Sequence, residues 1–587
     1  MTDSTYWTRW NRRQLNRRAM IRAGAVGALG AGALALVGCG DDDHAGGSTP
    51  KPGATTAPEG LDPRFGRLKS KVGDRVAVQE DTWFKSASPK SGGTINWSSQ
   101  YQAASVYPNN ALSGDHNLCD QIHQPLYSAI ESGAIMLHAA DRIEEVDNLT
   151  WTVHVRDNLK FHPLPPVNGR AATGEDVKFS WENAIADKTA YWGRQNGWID
   201  KIEAMPGNFV RFTSKVPNSG RIGEGGQLNI MAKEAVSAFG KDINKKAIGT
   251  GPWMLPGEYA ADRVTELQRH PDFMIKGRPF ADKMTFRAIT DQQAHISAFV
   301  SGQIDYMSRD LPEQLANANK GSDGTVTKQA FIAPEMIWFN QGKAPFNNPD
   351  LRRAVSLAVD RNELIKKLVF GSGKINGPIP WGLETWALPE KEVTDFYKPG
   401  QYEANLAEAK KLVEAGGGAS LPELVIINQN DIAIPKEMGP LIAGMLEKAG
   451  FKTKLTPGAT LEWITNLYKQ DSWHLSINQW GNALDPFFYM SMYTGPAITV
   501  GNNNRSFGGG DPAVDSAVNA LLLEFKSENR QEKVREAQRK IMTSYHAALN
   551  LFDGYGYYLS KNYLKDFRAG DTESTYLQWD YWLDKKA

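Results

Sequence analysis

The chain of 587 residues has little cysteine and no excess charge of either sign. Its only cysteines are Cys39 and Cys119, which excludes a disulfide framework, and no Cys/His cluster has the spacing of a zinc site. Lys plus Arg equals Asp plus Glu at 66 each, so no net field attracts nucleic acid. We therefore expect a fold held together by apolar burial, with no metal, no cofactor and no nucleic-acid partner.

The amino-terminal region lacks an apolar run that is long enough for a membrane-spanning helix. The uncharged run at residues 23–38 is rich in Gly and Ala and falls short of the roughly 20 residues that a span needs. Arg17 and Arg18 precede it, and a positive stretch before a short apolar stretch is typical of an export signal. The arginine pair favours the twin-arginine route, with the general route as the alternative.

The LVGC sequence that ends at Cys39 resembles a bacterial lipobox. The resemblance implies that residues 1–38 are removed and that Cys39 carries diacylglycerol. Because each buried CH₂ contributes about 0.8 kcal/mol, two or three acyl chains hold a protein firmly to a bilayer. We expect a lipid-anchored protein in the periplasm or on the outer face of the cytoplasmic membrane, in which Cys119 has no second cysteine to pair with.

Residues 39–90 continue after the cysteine with GDDDHAGGSTPKPGATTAPEG. Such a segment, dominated by Gly, Pro, Ser, Thr and Asp, buries too little apolar surface to offset its ordering entropy. It is predicted to be a tether.

The body of the chain mixes strand and helix patterns. Residues 151–155 read as a strand, whereas residues 350–370 and 404–415 have helical spacing. Thr173 followed by Asp176 predicts a capped helix start. This mixture predicts an α/β fold.

Four ordered blocks resemble one known family, the peptide, nickel and opine solute-binding proteins of ABC importers (family 5, cluster C). No single block is decisive, but their order over most of the body is hard to obtain by chance. The blocks are GGTINW from Gly92 with DQIHQPLYSA from Asp120, LTWTVHVRDNLKFHP from Leu149 with TGEDVKFSWENAI from Thr173, IGTGPWML from Ile248 with HPDFMIKGRPFADKMTFRAI and AFVSGQIDYM, and WFNQGKAPFNNPDLRRAVSLAVDRNELIKKLVFGSGK from Trp338.

The resemblance implies a two-lobe periplasmic-binding-protein type II fold with an extra inserted domain. Lobe I would comprise residues 91–127, 248–334 and 550–587, the inserted domain 128–247, and lobe II 335–549. A hinge between the lobes would close them over a solute. The implied partners are a small-molecule ligand and an ABC importer permease, with the receptor itself a monomer.

The resemblance also places a ligand between the lobes. The candidate contacts are Tyr101, Gln102, Tyr107, Asn340, Trp381, Trp386, Trp480, Asn482 and Asp485. In peptide-binding members, a carboxylate that pairs with the α-amino group lies three residues before the Asp of an Asp-Pro pair. In the sequence WGNALDP, Asn482 occupies that place. Because an amide cannot neutralise an ammonium group, this mode of binding is in doubt.

Two ligand classes remain open from the residues. Peptides are the commonest cargo of the family, and their backbones can be held by main-chain groups. An oligosaccharide or glycoside would suit Asn482 and stacking on tryptophan rings. A secreted hydrolase is the competing class, but Gly-x-Ser-x-Gly, Ser-x-x-Lys with its companions and His-Glu-x-x-His are all absent. We therefore expect a receptor and not an enzyme.

Overall fold

The computed structural model describes most of the chain beyond residue 87, together with two short strands before it, and all of these residues belong to one folding unit, Gly60–Ala587. Each helix within them is too short or too polar to cross a bilayer. Arg17, Arg18 and Cys39 lie outside the described residues. Those residues are 70–72, 75–79, 88–99, 101–111, 115–129, 135–187, 192–193, 196–224, 228–308, 318, 322–481, 483–495, 507–568 and 578–584.

The strands are short except for one near the carboxyl terminus. They are β1 Ser70–Val72, β2 Arg75–Gln79, β3 Thr94–Ser99, β4 Tyr127–Ala129, β5 Ile135–Leu137, β6 Ala140–Glu145, β7 Thr150–Val155, β8 Ile199–Met205, β9 Phe209–Ser214, β10 Trp253–Met254, β11 Thr265–Arg269, β12 Lys283–Ala288, β13 Tyr306–Ser308, β14 Gly324–Ala330, β15 Glu335–Phe339, β16 Gly373–Ile375, β17 Leu424–Gln429, β18 Thr453–Gly458, β19 Leu475–Gln479, β20 Ala548–Lys561, β21 Leu564–Lys565 and β22 Trp582–Leu583.

Most helices lie in the second half of the chain. The α-helices are His116–Ile122, Gly174–Ala186, Arg221–Glu224, Lys233–Phe239, Gln292–Val300, Pro349–Ala358, Arg361–Leu368, Glu390–Tyr397, Tyr402–Ala415, Ala433–Lys448, Thr460–Leu467, Pro486–Ser491, Pro512–Leu522 and Ser527–Ser544.

A mixed twelve-stranded sheet contains both halves of the body. Its order is β10-β11-β12-β3-β13-β20-β15-β19-β17-β18, and β14 and β16 also pair with β20. The amino-terminal part of β20 pairs with β15 and β16, whereas its carboxyl-terminal part pairs with β13 and β14. Strand β20 therefore runs from one half of the sheet into the other and crosses the predicted lobe boundary at residue 550.

Two four-stranded sheets stand apart from the large one. The antiparallel sheet β6-β7-β9-β8 falls within the predicted inserted domain, and helix Gly174–Ala186 packs on β8 and β9. A second sheet has the order β1-β2-β5-β4. The α/β class predicted from the sequence is thus observed, with the inserted sheet as a separate layer.

Local chemistry explains most helix ends. Thr173 and Asp176 form the predicted capping box, with Thr173 N–H donating to the Asp176 carboxylate at 2.9 Å. The helix predicted over residues 350–370 is in fact two helices, Pro349–Ala358 and Arg361–Leu368. The chain breaks there because Asp360 accepts a hydrogen bond from Glu363 N–H and so caps a new helix.

Candidate functional site

The carboxyl ends of two parallel strands meet at one edge of the large sheet. Strands β17 and β19 are parallel and end at Gln429 and Gln479, and the antiparallel β15 begins beside them with Glu335 opposite Gln479. Gln479 N–H donates to Gln429 Oε1 at 3.3 Å. Because ligands of open α/β sheets bind beyond the carboxyl ends of the strands, this edge is the candidate site.

Glu335 brings an almost fully buried carboxyl group to this edge. Its side chain is 2% exposed, and Oε1 accepts a hydrogen bond of 2.7 Å from Gln479 Nε2. Oε2 has no hydrogen-bond partner. Burial raises the pKa of Glu335 to about 8, since the apolar surroundings disfavour the charged form.

Asp553 of β20 brings a second buried carboxyl group, 1% exposed. Burial raises its pKa well above the ordinary value; the neighbouring Asn376 side chain lowers it and Glu335 raises it. Neither carboxylate oxygen makes a hydrogen bond of normal geometry. Glu335 and Asp553 lie on the neighbouring strands β15 and β20, where Glu335 pairs with Phe552, the residue before Asp553.

Trp381 contacts the Asn376 side chain and the backbone of Asp553. Its backbone N–H donates to Asn376 Oδ1 at 3.0 Å, and its indole Nε1 donates to the Asp553 carbonyl at 3.4 Å. Its ring, half-buried, meets Tyr555 edge-on at 5.0 Å. The predicted ligand residue Trp381 is therefore held against the segment of β20 that contains Asp553 and Tyr555.

Trp386 and Asp485 lie close to Arg530, a buried residue that is absent from the sequence-based predictions. The Arg530 guanidinium, 1% exposed, lies 5.6 Å from the Trp386 ring and 3.8 Å from Asp485 Oδ1. Asp485 also caps helix Pro486–Ser491 by accepting from Phe487 N–H at 2.9 Å. This arrangement gives Asp485 a structural role at the base of the loop, and the predicted ligand contacts of both residues stay predictions. Because Arg530 sits in a charged helix, no sequence pattern singles it out.

Trp480 follows β19 directly and packs edge-on against Trp338 at 5.5 Å. The next residue, Gly481, has φ +142°, and a Cβ there would lie 3.0 Å from the Ile332 carbonyl oxygen and from Tyr489 Cε1. Only glycine fits this turn without displacing its neighbours. The predicted contact residue Asn482 comes next and lies outside the described residues.

Asn340 holds the loop before β19 in place through hydrogen bonds. Its Nδ2 donates to the carbonyl oxygens of Gln470 and Trp473, the latter at 3.0 Å, and its backbone N–H donates to the His474 carbonyl. Both amide protons are therefore used in fixing the loop before β19. Only Oδ1 could face a ligand.

The three candidates after β3 lie apart from the residues above. Gln102 is exposed and donates to the Tyr259 hydroxyl at 2.9 Å, and Tyr101 N–H donates to Ser99 Oγ. Tyr107 lines a small, partly open apolar pocket beside helix Lys233–Phe239. Within the described part of the chain, no hydrogen bond or ring contact joins these three residues to the edge with Trp480.

Across the described ranges, no group of three or more His, Cys, Asp and Glu side chains is arranged to hold a metal ion.

A sequence model of the bacterial extracellular solute-binding proteins, family 5, matches residues 135–500, more than half of the chain. The chain belongs to this family. It is a solute-binding protein, so the predictions of the family and of a receptor in place of an enzyme are confirmed. Members of the family are extracytoplasmic and work with ABC importers.

Relatives and solved structures agree with this membership. The chain is 24% identical over 421 residues to heme-binding protein A of Haemophilus influenzae, which covers 67% of this chain and 74% of that protein. It is 25% identical over 321 residues to the glutathione-binding protein GsiB of Escherichia coli, covering 53% of this chain and 58% of that protein. The chain thus spans little more than half the length of the glutathione-binding relatives.

The fold resembles that of the oligopeptide-binding protein AppA from Bacillus subtilis in complex with a nonapeptide. The TM-score is 0.72 at 16% identity, over 85% of this chain and 100% of that one. The two-lobe type II fold predicted from the sequence is therefore confirmed.

Proposed function

We propose that this solute-binding protein is a lipid-anchored receptor that holds a peptide-like solute between two lobes and delivers it to an ABC importer. The observation that carries the proposal is the polar edge of the sheet, where Glu335, Gln429 and Gln479 meet beside Trp480 within a family of solute receptors. Sites of this kind combine aromatic walls with a few placed polar groups.

The relatives support a peptide-like cargo. One solved structure with this fold holds a nonapeptide, and curated relatives are named for heme and for glutathione. The half-buried rings of Trp381 and Trp480 supply flat apolar surface beside the edge. An extended backbone can be held by main-chain groups at such an edge without a specific side chain for each residue.

Strand pairing supports hinged lobes, with lobe II beginning at Glu335 as expected and the return to lobe I falling within β20 at about residue 554. Strand β15 begins at Glu335, where lobe II is expected to start, and β20 carries the chain back into the first half of the sheet. Few strands make this passage, so a bending motion there would open and close the cleft. Solute binding would shift the population toward the closed state.

The lipobox that ends at Cys39 supports attachment to a membrane surface. Replacing Cys39 with Ser should release the full-length protein from the membrane fraction of the producing cells. If the Cys39→Ser protein stays with the membranes after a high-salt wash, a different attachment is responsible.

The receptor function can be tested by measuring whether the lobes close when a solute is added. Small-angle scattering and thermal melting of the purified protein should change together when a mixture of di- and tripeptides is added, and the peptides should be recovered intact. Closure with oligosaccharides in place of peptides would reassign the cargo. The absence of any scattering change with both mixtures, or chemical alteration of the solute, would overturn the receptor proposal.

A further inference from the structure

The chain ahead of the body contributes two strands to the predicted inserted domain. Strand β2 pairs in parallel with β5 of that domain, with Ala77 opposite Ile135. Strand β1 pairs antiparallel with β2 and also lies beside β6, which belongs to the other four-stranded sheet. Both strands fall within residues 39–90, which begin with the composition of a tether. Residues 70–79 therefore form a strap that reaches both sheets of the inserted domain.

The strap covers the edge of an apolar strand. Strand β5 consists of Ile135, Met136 and Leu137, which are all fully buried, and its other edge pairs with β4. An uncovered edge of such a strand would present free N–H and C=O groups, which favour aggregation. Strand β2 lies opposite β5 along its whole length. Because strand addition of this kind relies mainly on backbone hydrogen bonds, the segment can dock without an apolar sequence pattern that reveals it.

After the strap, the chain is fastened a second time at Lys90. Its Nζ donates to Asp584 Oδ1 at 2.8 Å and to the Asp584 carbonyl at 3.0 Å, and both side chains are exposed. Strand β3 of predicted lobe I then begins at Thr94. Since exposed ion pairs contribute little to stability, the strand pairing is the firmer attachment. The two attachments lie in the inserted domain and in lobe I.

We propose that the strap fastens the lipid anchor at Cys39 to the inserted domain, so that the receptor is held to the membrane through this domain while lobe II moves in closure. The inference rests on the proposed lipid anchor and names the part of the receptor that the anchor holds. Residues 39–69 then remain for the predicted tether.

The length of this tether is short enough to orient the receptor. A flexible chain of about 31 residues has an end-to-end distance of about 30 Å. A folded body of about 500 residues has a radius of gyration of about 23 Å. Because the two lengths are comparable, the domain that carries the strap should stay nearer the bilayer than the lobe that does not.

Proline substitution tests whether the strap is docked. The double substitution Ala77→Pro and Val78→Pro removes two adjacent N–H groups, and since neighbouring amides point to opposite edges of a strand, one of them faces β5. In the full-length protein, amide hydrogen exchange in peptides that cover β5 should become about tenfold faster. The matched control, Ala54→Pro with Thr55→Pro, places the same two prolines in the predicted tether and should leave exchange at β5 unchanged.

Energy transfer tests which part of the receptor the anchor holds. The full-length lipoprotein is reconstituted into phosphatidylcholine vesicles with an acceptor dye on a fraction of the headgroups. A donor dye is attached to Glu144→Cys in the inserted domain or to Lys411→Cys in lobe II, since these side chains are 55% and 78% exposed. Transfer should be greater from position 144 than from position 411. The strap double variant should lose this difference, and the tether control should keep it.

Three results would overturn the inference. Unchanged exchange at β5 in the strap double variant would show that residues 70–79 do not hold this edge. Equal transfer from positions 144 and 411 in the wild type would show that the anchor does not orient the receptor. A wild type that does not bind the vesicles would reject the lipid anchor together with its position, whereas closure on addition of a solute would still support the receptor function.

Discussion

The Arg221 guanidinium lies 4.7 Å from the centroid of the Phe525 ring. Arg221 belongs to the predicted inserted domain and Phe525 to the predicted second lobe. Nearby, Ser219 N–H and Oγ donate to the Leu522 and Leu521 carbonyls, both at 2.9 Å. These contacts join the two parts.

Phe525→Ala should weaken lobe closure. Cation–π pairs contribute about 1 kcal/mol, so the closed population should fall and solute affinity should drop about fivefold. Small-angle scattering at saturating and at subsaturating solute concentrations measures the closed population and the affinity. The control is Phe209→Ala, because Arg142 lies over Phe209 at the same 4.7 Å but within one sheet. If both variants lose affinity equally, the Arg221–Phe525 contact has no special role in closure.

Fold and site differ in how far the sequence reveals them. Local chemistry predicted the capping box at Thr173 and the strand at residues 151–155, which is observed as β7. The apolar periodicity predicts a single helix over residues 350–370, although two are observed. Asp360 caps the second helix without interrupting the apolar stripe, so the periodicity does not reveal the break. Short-range sequence patterns therefore predict the presence of helices and strands better than they predict where these begin and end.

The site depends on residues that are distant in sequence. Glu335 and Asp553 lie on neighbouring strands because β20 returns between β13 and β15. Residue type predicts Trp381 and Trp386 as ligand contacts, and the Trp381 indole donates to the Asp553 backbone carbonyl. Trp386, in contrast, packs beside Arg530 in the interior. Residue type alone could not separate these two cases, since burial is decided by the tertiary pairing.

Glu335 should make the stability of the empty protein fall as pH rises. Its carboxyl is protonated in both states below its ordinary pKa of 4.5; from there to about 8 the folded state keeps a proton that the unfolded chain releases. The slope is at most about 1.4 kcal/mol per pH unit. Urea unfolding from pH 5 to 8 should show this decline, and Glu335→Gln should reduce it. An unchanged slope in that variant would mean that Glu335 does not titrate in this range.

Asp485→Ala should be strongly destabilising. The substitution removes a helix cap and leaves the buried Arg530 cation without its carboxylate, which costs about 3–5 kcal/mol. Asp291→Ala is the control, because Asp291 caps helix Gln292–Val300 through a 2.7 Å bond to Ala294 N–H at an exposed position. That loss should be about 1 kcal/mol. Similar losses in the two variants, measured by urea unfolding, would argue that the Arg530 pair contributes little.

The Cys119 thiol should be unreactive in the folded protein. It is fully buried, and burial together with Asp120 and Asp115 raises its pKa well above the usual value. Since the thiolate is the reactive form, a thiol reagent should label it only as fast as the protein unfolds. Labelling of the Cys39→Ser protein with and without urea measures this. Rapid labelling in the absence of urea would show that the helix His116–Ile122 opens locally.

Gly481→Ala should lower solute affinity more than a conformational penalty alone explains. An alanine at φ +142° is strained, and its Cβ would press on the Ile332 carbonyl and the Tyr489 ring, each 3.0 Å away. Relief of these contacts requires the turn to move, and the turn joins Trp480 to the predicted ligand residue Asn482. The expected stability loss is about 1–3 kcal/mol, with at least tenfold weaker solute binding. Gly277→Ala separates the two effects, because Gly277 also has positive φ, +81°, but nothing lies within 4 Å of its Cβ position. That control should lose stability and keep its affinity, as judged by calorimetry with the same solute. Should Gly481→Ala bind as well as Gly277→Ala, the turn after β19 would not form part of the ligand site.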